Sequence, residues 1–170
     1  FHERSVHADL GLALALQSCE ILRPDLRLLV MSATLDVQAV SSLLGGAPVL
    51  RSEGRAFPVE IRYLPRRGEQ RVEGAVAAAI RAALAQDAGS VLAFLPGAGE
   101  IGRTAELLEA ALLPRDVRVY PLFGDLPLEM QDAAIRPAGA GERKVVLATS
   151  IAETSLTIDG IRIVVDGGVI

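Results

Sequence analysis

The chain has 170 residues, of which 51% are hydrophobic, and its formal net charge is −4. This length can bury the core of one domain or two small ones, and the acidic balance does not by itself indicate a nucleic-acid binder. The apolar runs are too short for a membrane span, the N-terminus lacks the pattern of a secretion signal, and the sole cysteine, Cys19, fits a cytoplasmic protein without an internal disulfide.

Helix and strand patterns alternate along the first fifty residues. The apolar spacing of SVHADLGLALALQSCEIL predicts a helix, and the continuous apolar run LRLLVM at 26–31 predicts a buried parallel strand. DVQAVSSLLG predicts a second helix, capped by Asp36 and ended by Gly45. The stretch PVLRSEGRAFP gathers proline, glycine and charge, which predicts a linker. Arginines crowd residues 51–71, but interspersed acids favour a solvated connector over a phosphate-binding strip.

The alternation of strands and helices continues after the linker. Strands are predicted at VEIRYL, SVLAFL, VRVYPL, KVVLATS and IRIVVD, and helices at RVEGAVAAAIRAALAQD, EIGRTAELLEAAL and LPLEMQDAAI, with ETSLTI a turn or short helix. Repeated units of this kind predict an α/β fold, with parallel sheets and helices on both faces. The piece before the linker offers too few strands for a sheet of its own. Both ends of the chain are therefore expected to be cut from a larger protein.

The loop LPGAGEIG contains G-x-G-x-x-G at Gly97, Gly99 and Gly102, between a predicted strand and a predicted helix. That setting is typical of a dinucleotide-binding turn. However, the strand is the second of its piece, whereas the fingerprint normally follows the first. Pro96 also restricts the backbone just before the first glycine. A glycine turn that enters a helix is therefore the favoured interpretation, and dinucleotide binding stays an alternative.

Because ligands of doubly wound sheets bind beyond the carboxyl ends of the strands, the polar loops that follow strands are candidate sites. In MSATLD, Ser32 and Thr34 are explained by ordinary helix entry. The loop ATSIAETSLTIDG at 148–160 carries a denser run of polar residues: Thr149, Ser150, Glu153, Thr154, Ser155, Thr157 and Asp159. Hydroxyls and backbone N–H groups suit phosphate and sugar oxygens. A polar surface loop is the equal alternative on composition alone.

Four short motifs occur in order along the chain. Phe1-His2-Glu3-Arg4 resembles the end of a D-E-x-H box, Ser32-Ala33-Thr34 resembles motif III, FLPG at 94–97 with Glu100-Ile101 resembles motif IV, and ATSIAETSLTIDGIRIVVDGG at 148–168 resembles motif V. Together they resemble the DEAH-box helicases of superfamily 2, most closely the bacterial HrpB-type subgroup. The resemblance implies two RecA-like domains of the P-loop NTPase type, both incomplete here. Residues 1–53 would be the C-terminal half of the first (ATP-binding) domain, and 57–170 the second domain, ending before motif VI.

The resemblance also implies a function and a set of site residues. The family couples hydrolysis of ATP, or another NTP, with Mg²⁺ to movement along single-stranded RNA or other nucleic acid. Carried over by motif, the hydrolytic group would comprise His2, Ser32, Ala33 and Thr34; the nucleotide-binding group Asp159, Ile135 and Thr157; and the nucleic-acid-binding group Gly97, Thr149, Ser150, Thr154 and Ser155. No metal ligand is expected within this chain.

Two positions depart from the family pattern, and several parts are absent. Ser150 replaces the usual asparagine, and Ile135 replaces the aromatic that many relatives place against the adenine, so base selectivity would be loose. The sequence has no G-x-x-x-x-G-K-[ST] loop. The D-E pair would precede Phe1, and motif VI would follow Ile170. An alternative of a different class is a non-catalytic module that binds nucleic acid or protein.

We expect that residues 1–170 alone do not hydrolyse NTP, because nothing in this sequence cradles the β- and γ-phosphates. The measurement is release of radiolabelled phosphate from ATP by the isolated chain. Turnover above the protein-free blank would contradict the expectation.

Overall fold

The structure is a computed structural model that describes residues 5–32, 36–52, 54, 57–64, 70–152 and 157–168. It divides into two compact units, Phe1–Val59 and Glu60–Ile170. Among the described helices, none combines the length and apolarity needed to cross a membrane. The two units differ in how many of their residues are buried.

Unit 1 contains two helices, α1 (Val6–Ile21) and α2 (Val37–Leu43). Both begin at a polar cap: the Ser5 hydroxyl accepts a hydrogen bond from the Ala8 N–H at 3.1 Å, and the Asp36 carboxylate accepts one from the Ala39 N–H at 3.2 Å. The chain leaves α2 at Gly45, whose φ of 69° favours glycine. Both predicted helices, the Asp36 cap and the glycine end are confirmed. No described residue of this unit is buried.

The strands predicted at 26–31 and 59–64 are wrong, because both segments are irregular and unpaired among the described residues. Most of their apolar side chains are exposed, as Leu29 at 78% and Tyr63 at 90% show, and Leu28 and Val30 are only half-buried. A β-strand is stabilised by backbone hydrogen bonds to a neighbouring strand. The apolar pattern was present in both segments, but the described residues supply no partner for either backbone.

Unit 2 is a parallel α/β layer structure. Its elements are α3 (Val72–Gln86), β1 (Ser90–Phe94), α4 (Ala98–Ala110), β2 (Val117–Leu122), α5 (Leu128–Ile135), β3 (Arg143–Ala148), a 3-10 turn (Ser150–Ala152) and β4 (Ile161–Asp166). The sheet order is β2-β3-β1-β4, and all three pairings are parallel. The predicted α/β class is therefore confirmed, as are four of the five strands predicted for this half.

The sheet of unit 2 separates two apolar cores, one on each face. Side chains alternate between faces along a strand, so on β3 Val145 and Leu147 face one core, and Val146 and Ala148 face the other. Helices α3 and α4 cover the first face, and α5 with the segment around Ala152 covers the second. The prediction of helices on both faces is confirmed.

An ion pair joins the two helices on the first face. The Arg103 guanidinium on α4 donates from Nε to Glu73 Oε1 on α3 at 2.7 Å and also binds the carboxylate of Glu100. Glu73 is 7% exposed. The pKa of Glu73 lies below its ordinary value because its own backbone amide and then Arg103 stabilise the carboxylate. This pair therefore favours the folded state above the ordinary pKa of glutamate, and that contribution disappears as the pH falls through the lowered value.

We predict that Glu73→Gln makes the stability of the fold less dependent on pH in the acidic range. The urea midpoint of the unchanged chain, followed by circular dichroism, should fall between about pH 5 and pH 3, and the variant should fall less steeply in that window. Glu106→Gln, on the exposed side of α4, is the matched control and should follow the unchanged chain. If the urea midpoint of the Glu73 variant falls with pH as steeply as that of the unchanged chain, the Glu73 carboxylate does not contribute to the pH dependence of stability.

Candidate functional site

The segments that follow β1 and β3 diverge at the carboxyl edge of the sheet. These strands are neighbours, but the connections that follow them leave on opposite faces: α4 packs into the first core, whereas Ala152 and Ile158 pack into the second. Divergence of this kind defines the topological switch point at which open α/β sheets bind ligands. The loops after β1 and β3 therefore flank the position at which open α/β sheets generally bind ligands.

Three of the predicted nucleic-acid-binding residues lie together at this carboxyl edge. Gly97 follows β1 and is half-buried, while Thr149 and Ser150 follow β3, half-buried and exposed respectively. The two loops are joined by the backbone, because the Leu95 N–H donates to the Ala148 carbonyl at 2.8 Å. The hydroxyls of Thr149 and Ser150 have no hydrogen-bond partner among the described residues. The backbone is thus fixed while two hydroxyls stay available to a ligand.

Two of the predicted nucleotide-binding residues, Asp159 and Ile135, lie instead at the amino edge of the sheet. Beside Asp159, the Gly160 carbonyl accepts from the Ser90 N–H at 3.1 Å. The Ser90 hydroxyl accepts from the backbone N–H of Lys144 at 2.9 Å. The ammonium of Lys144 in turn binds the carbonyls on both sides of Ile135. A row of contacts therefore connects the two predicted residues across three neighbouring strands, and β3 and β4 are about 10 Å apart at the usual strand spacing.

The groups at the amino edge differ in what they offer a ligand. Asp159 is exposed, and its carboxylate has no ion-pair or hydrogen-bond partner in the described part of the chain. Thr157 is exposed beside the buried Ile158, and Ile135 is half-exposed at the end of α5. A carboxylate with a nearby hydroxyl and an apolar side chain suits a ribose and a base. Among the described residues, no group of three or more His, Cys, Asp or Glu could hold a metal ion.

Of the remaining predicted residues, the structure describes only Ser32. His2, Ala33, Thr34, Thr154 and Ser155 lie outside the described residues. Ser32 is half-buried in unit 1. Gly97, Thr149, Ser150 and Asp159 were predicted from the loops that follow strands, whereas Ile135 was predicted only from the resemblance.

The glycine pattern of LPGAGEIG does not form a dinucleotide-binding turn. Gly97 is the extended residue before α4, and Gly99 and Gly102 lie within that helix. In the dinucleotide fingerprint the third glycine permits close packing of helix on strand. A Cβ added at Gly102 would meet no atom within 4 Å. The third glycine therefore serves no close approach, which removes the physical basis for dinucleotide binding here.

Two side chains that hold the site in place were not found by sequence reasoning. Gln131 on α5 donates from Nε2 to the Leu126 carbonyl at 2.8 Å and the Gly124 carbonyl at 3.3 Å, which fixes the loop after β2 at the carboxyl edge. Lys144 fixes the end of α5 at the amino edge. The one available signal for Lys144 was that the only lysine of the chain stands directly before the apolar run VVLA.

Residues 75–169 match the family described as Helicase conserved C-terminal domain. The chain is 58% identical over 166 residues to the ATP-dependent RNA helicase HrpB of Escherichia coli (strain K12), covering 98% of this chain and 20% of that protein. It is 41% identical over 172 residues to the pre-mRNA-splicing factor ATP-dependent RNA helicase prp22 of Schizosaccharomyces pombe, covering 98% and 15%. The chain thus spans about a fifth or less of the length of these relatives.

The same relationship appears in three dimensions. A crystal structure of the Escherichia coli DEAH/RHA helicase HrpB matches with a TM-score of 0.84 at 58% identity, over 98% of this chain and 21% of that one. The parallel sheet of unit 2 is accordingly RecA-like. On the family match, the sequence identity and the shared structure, the chain belongs to the DEAH-box family of ATP-dependent RNA helicases.

Proposed function

We propose that this chain is part of the motor core of an ATP-dependent RNA helicase, in which the sheet of unit 2 contacts RNA at one edge and the nucleotide at the other. The observation that carries the proposal is the division of the predicted residues between the two edges. Thr149 and Ser150 offer hydroxyls at the carboxyl edge, and Asp159 offers a carboxylate at the amino edge. Nucleotide binding and strand binding are the two events that a helicase couples.

The proposed RNA contacts are to the strand's backbone. Hydroxyls and backbone N–H groups bind phosphate and sugar oxygens without reading the sequence, which suits a motor that moves along any strand. Gly97, Thr149 and Ser150 are the described members of this set, and Thr154 and Ser155 are proposed to complete it. The side chain of Ser150 is shorter than that of asparagine, so it would reach less far toward the RNA backbone.

The proposed nucleotide contacts are to the ribose and base of ATP or another NTP. The Asp159 carboxylate would accept hydrogen bonds from ribose hydroxyls, with Thr157 alongside. Ile135 would pack against the base through apolar contact alone, which favours loose base selectivity. We assign no Mg²⁺ ligand to this chain, and the groups that bind the phosphates and Mg²⁺ would come from other parts of the protein.

The proposed domain organisation follows the family. Residues 1–53 would be the C-terminal half of the first RecA-like domain and 57–170 the second domain. His2, Ser32, Ala33 and Thr34 would then link the nucleotide to strand binding from the first domain. Hydrolysis would change the relative position of the two domains and so advance them along single-stranded RNA.

We predict that Asp159→Asn in the full-length protein raises the KM for ATP about tenfold, because the ribose hydroxyls then donate to a neutral amide oxygen instead of a charged carboxylate. The rate at saturating ATP should change less. Asp125→Asn, an exposed carboxylate in the loop after β2, is the matched control and should leave the KM unchanged. Equal KM values for the two variants would remove Asp159 from the nucleotide site.

We predict that Thr149→Val in the full-length protein weakens single-stranded RNA binding about three- to tenfold, because the isosteric side chain cannot hydrogen-bond to the strand's backbone. The measurement is fluorescence anisotropy at fixed salt, with RNA stimulation of ATP hydrolysis as the second readout.

Thr104→Val is the matched control for Thr149. Thr104 is buried in α4, and its hydroxyl has no hydrogen-bond partner among the described residues, so the variant should bind RNA normally and be no less stable. Unchanged RNA affinity in the Thr149 variant would contradict the carboxyl-edge site. RNA binding by the full-length protein without any ATP hydrolysis would favour the non-catalytic module instead.

A further inference from the structure

Lys144 uses its whole hydrogen-bonding capacity on the end of one helix. Its side chain is 3% exposed, and its Nζ donates to the carbonyls of Ala133 at 2.7 Å, Ala134 at 2.7 Å and Arg136 at 2.6 Å. An ammonium group has three N–H donors and no acceptor. All three donors are therefore engaged, and all three acceptors belong to the last turn of α5 and the residue that follows it.

The surroundings compensate for placing a cation in the interior. Burial lowers the pKa of Lys144 by desolvation. Opposing this, the C-terminal carbonyls of a helix carry partial negative charge, and the Tyr120 ring centroid lies 4.5 Å from Nζ. The side chain thus sits where a positive charge is favoured by the helix end on one side and an aromatic face on the other.

The three acceptors bracket Ile135. Ala134 precedes it in the helix, and Arg136 follows it as an extended residue that leads into Pro137. With only eight residues, α5 has little stability of its own. The ammonium ties the last helical turn to the first residue outside it, so it determines where the chain leaves the helix and where the Ile135 side chain lies.

We propose that Lys144 is the positioning residue for Ile135, holding this apolar side chain where it contacts the base of the bound nucleotide. The proposal rests on the proposed function, in which Ile135 is the base contact. Lys144 does not itself touch the nucleotide. Its removal should therefore weaken nucleotide binding through Ile135 and leave the chemistry of bound nucleotide largely intact.

The test is a double-mutant cycle in the full-length protein. Lys144→Met keeps the length and apolar stem of the side chain but removes all three donors, and it should raise the KM for ATP about three- to tenfold with kcat within about twofold. In an Ile135→Ala background the same change should add little, because the side chain that Lys144 positions is already gone. Circular dichroism and gel filtration establish that each variant is folded.

Arg143→Gln is the matched control. Arg143 is the neighbouring cation on β3, and it binds Asp116 Oδ2 at 2.8 Å and the Leu84 carbonyl at 3.0 Å, at the end of α3 on the other face. Its loss should lower the thermal midpoint without changing the KM for ATP. This separates general loosening of the sheet from displacement of Ile135.

The outcomes distinguish the two proposals. If Ile135→Ala leaves the KM for ATP and the preference among NTPs unchanged, the base contact in the proposed function is wrong. If Ile135→Ala raises the KM but folded Lys144→Met does not, or if their effects simply add, Lys144 is not the positioning residue.

If Lys144→Met does not fold, the proposal is tested by comparing the KM for ATP of Tyr120→Leu with that of Tyr120→Phe. Loss of the ring beneath the ammonium should raise the KM about twofold, and the phenylalanine variant should not. Equal KM values for these two variants would overturn the proposal.

Discussion

Charged hydrogen bonds from two adjacent residues of β3 connect the C-terminal ends of α3 and α5 to the sheet of unit 2. Arg143 and Lys144 point to opposite faces because side chains alternate along a strand, and each donates to carbonyls near the C-terminal end of a helix. A helix end is where a cation is favoured, so one dipeptide fastens α3 on one face and α5 on the other. The arrangement places both attachments at the amino edge of the sheet and leaves the carboxyl edge to its loops.

That asymmetry explains how one small sheet can present two different surfaces. At the carboxyl edge, the diverging connections after β1 and β3 expose hydroxyls on a backbone that is itself hydrogen-bonded. At the amino edge, Ser90 links the turn that carries Asp159 to the strand that carries Lys144. The buried strands β1 and β3 run between the two surfaces. Groups at either edge are therefore held by the same rigid element, which is what coupling of nucleotide and strand binding requires.

Much of unit 2 could be predicted because its strands are short, apolar and regularly separated by helices. The predicted strands VRVYPL and IRIVVD coincide with β2 and β4, and the helix after Gly97 begins only two residues earlier than predicted. The apolar runs at 26–31 and 59–64 carried the same local signal and failed. A local apolar pattern indicates that a segment favours a buried, extended conformation. Strand formation also needs a neighbouring strand for backbone hydrogen bonds, and the local sequence does not show whether one is present.

The candidate site was predictable to the extent that its residues follow strands. Thr149 and Ser150 satisfy the rule that ligands bind beyond the carboxyl ends of parallel strands. Asp159 was predicted from the same loop but lies at its far end, just before β4, and Ile135 was predicted only from the resemblance. Their shared edge emerges only when the order β2-β3-β1-β4 brings the starts of the strands together. The role of Lys144 was hidden for a different reason, because its three acceptors are backbone carbonyls and carry no residue-specific signal.

The proposed base contact of Ile135 is the reason why the hydrogen bonds of Lys144 would matter. An aromatic ring buries a large area and makes directional contacts with another ring, so a small displacement still leaves a substantial interaction. An aliphatic side chain covers less of a base and has no quadrupole to orient it. Its contribution therefore depends more strongly on where its backbone is held. Lys144 fixes the backbone on both sides of Ile135. In the proposed site, this restraint would offset the smaller contact area of an isoleucine side chain.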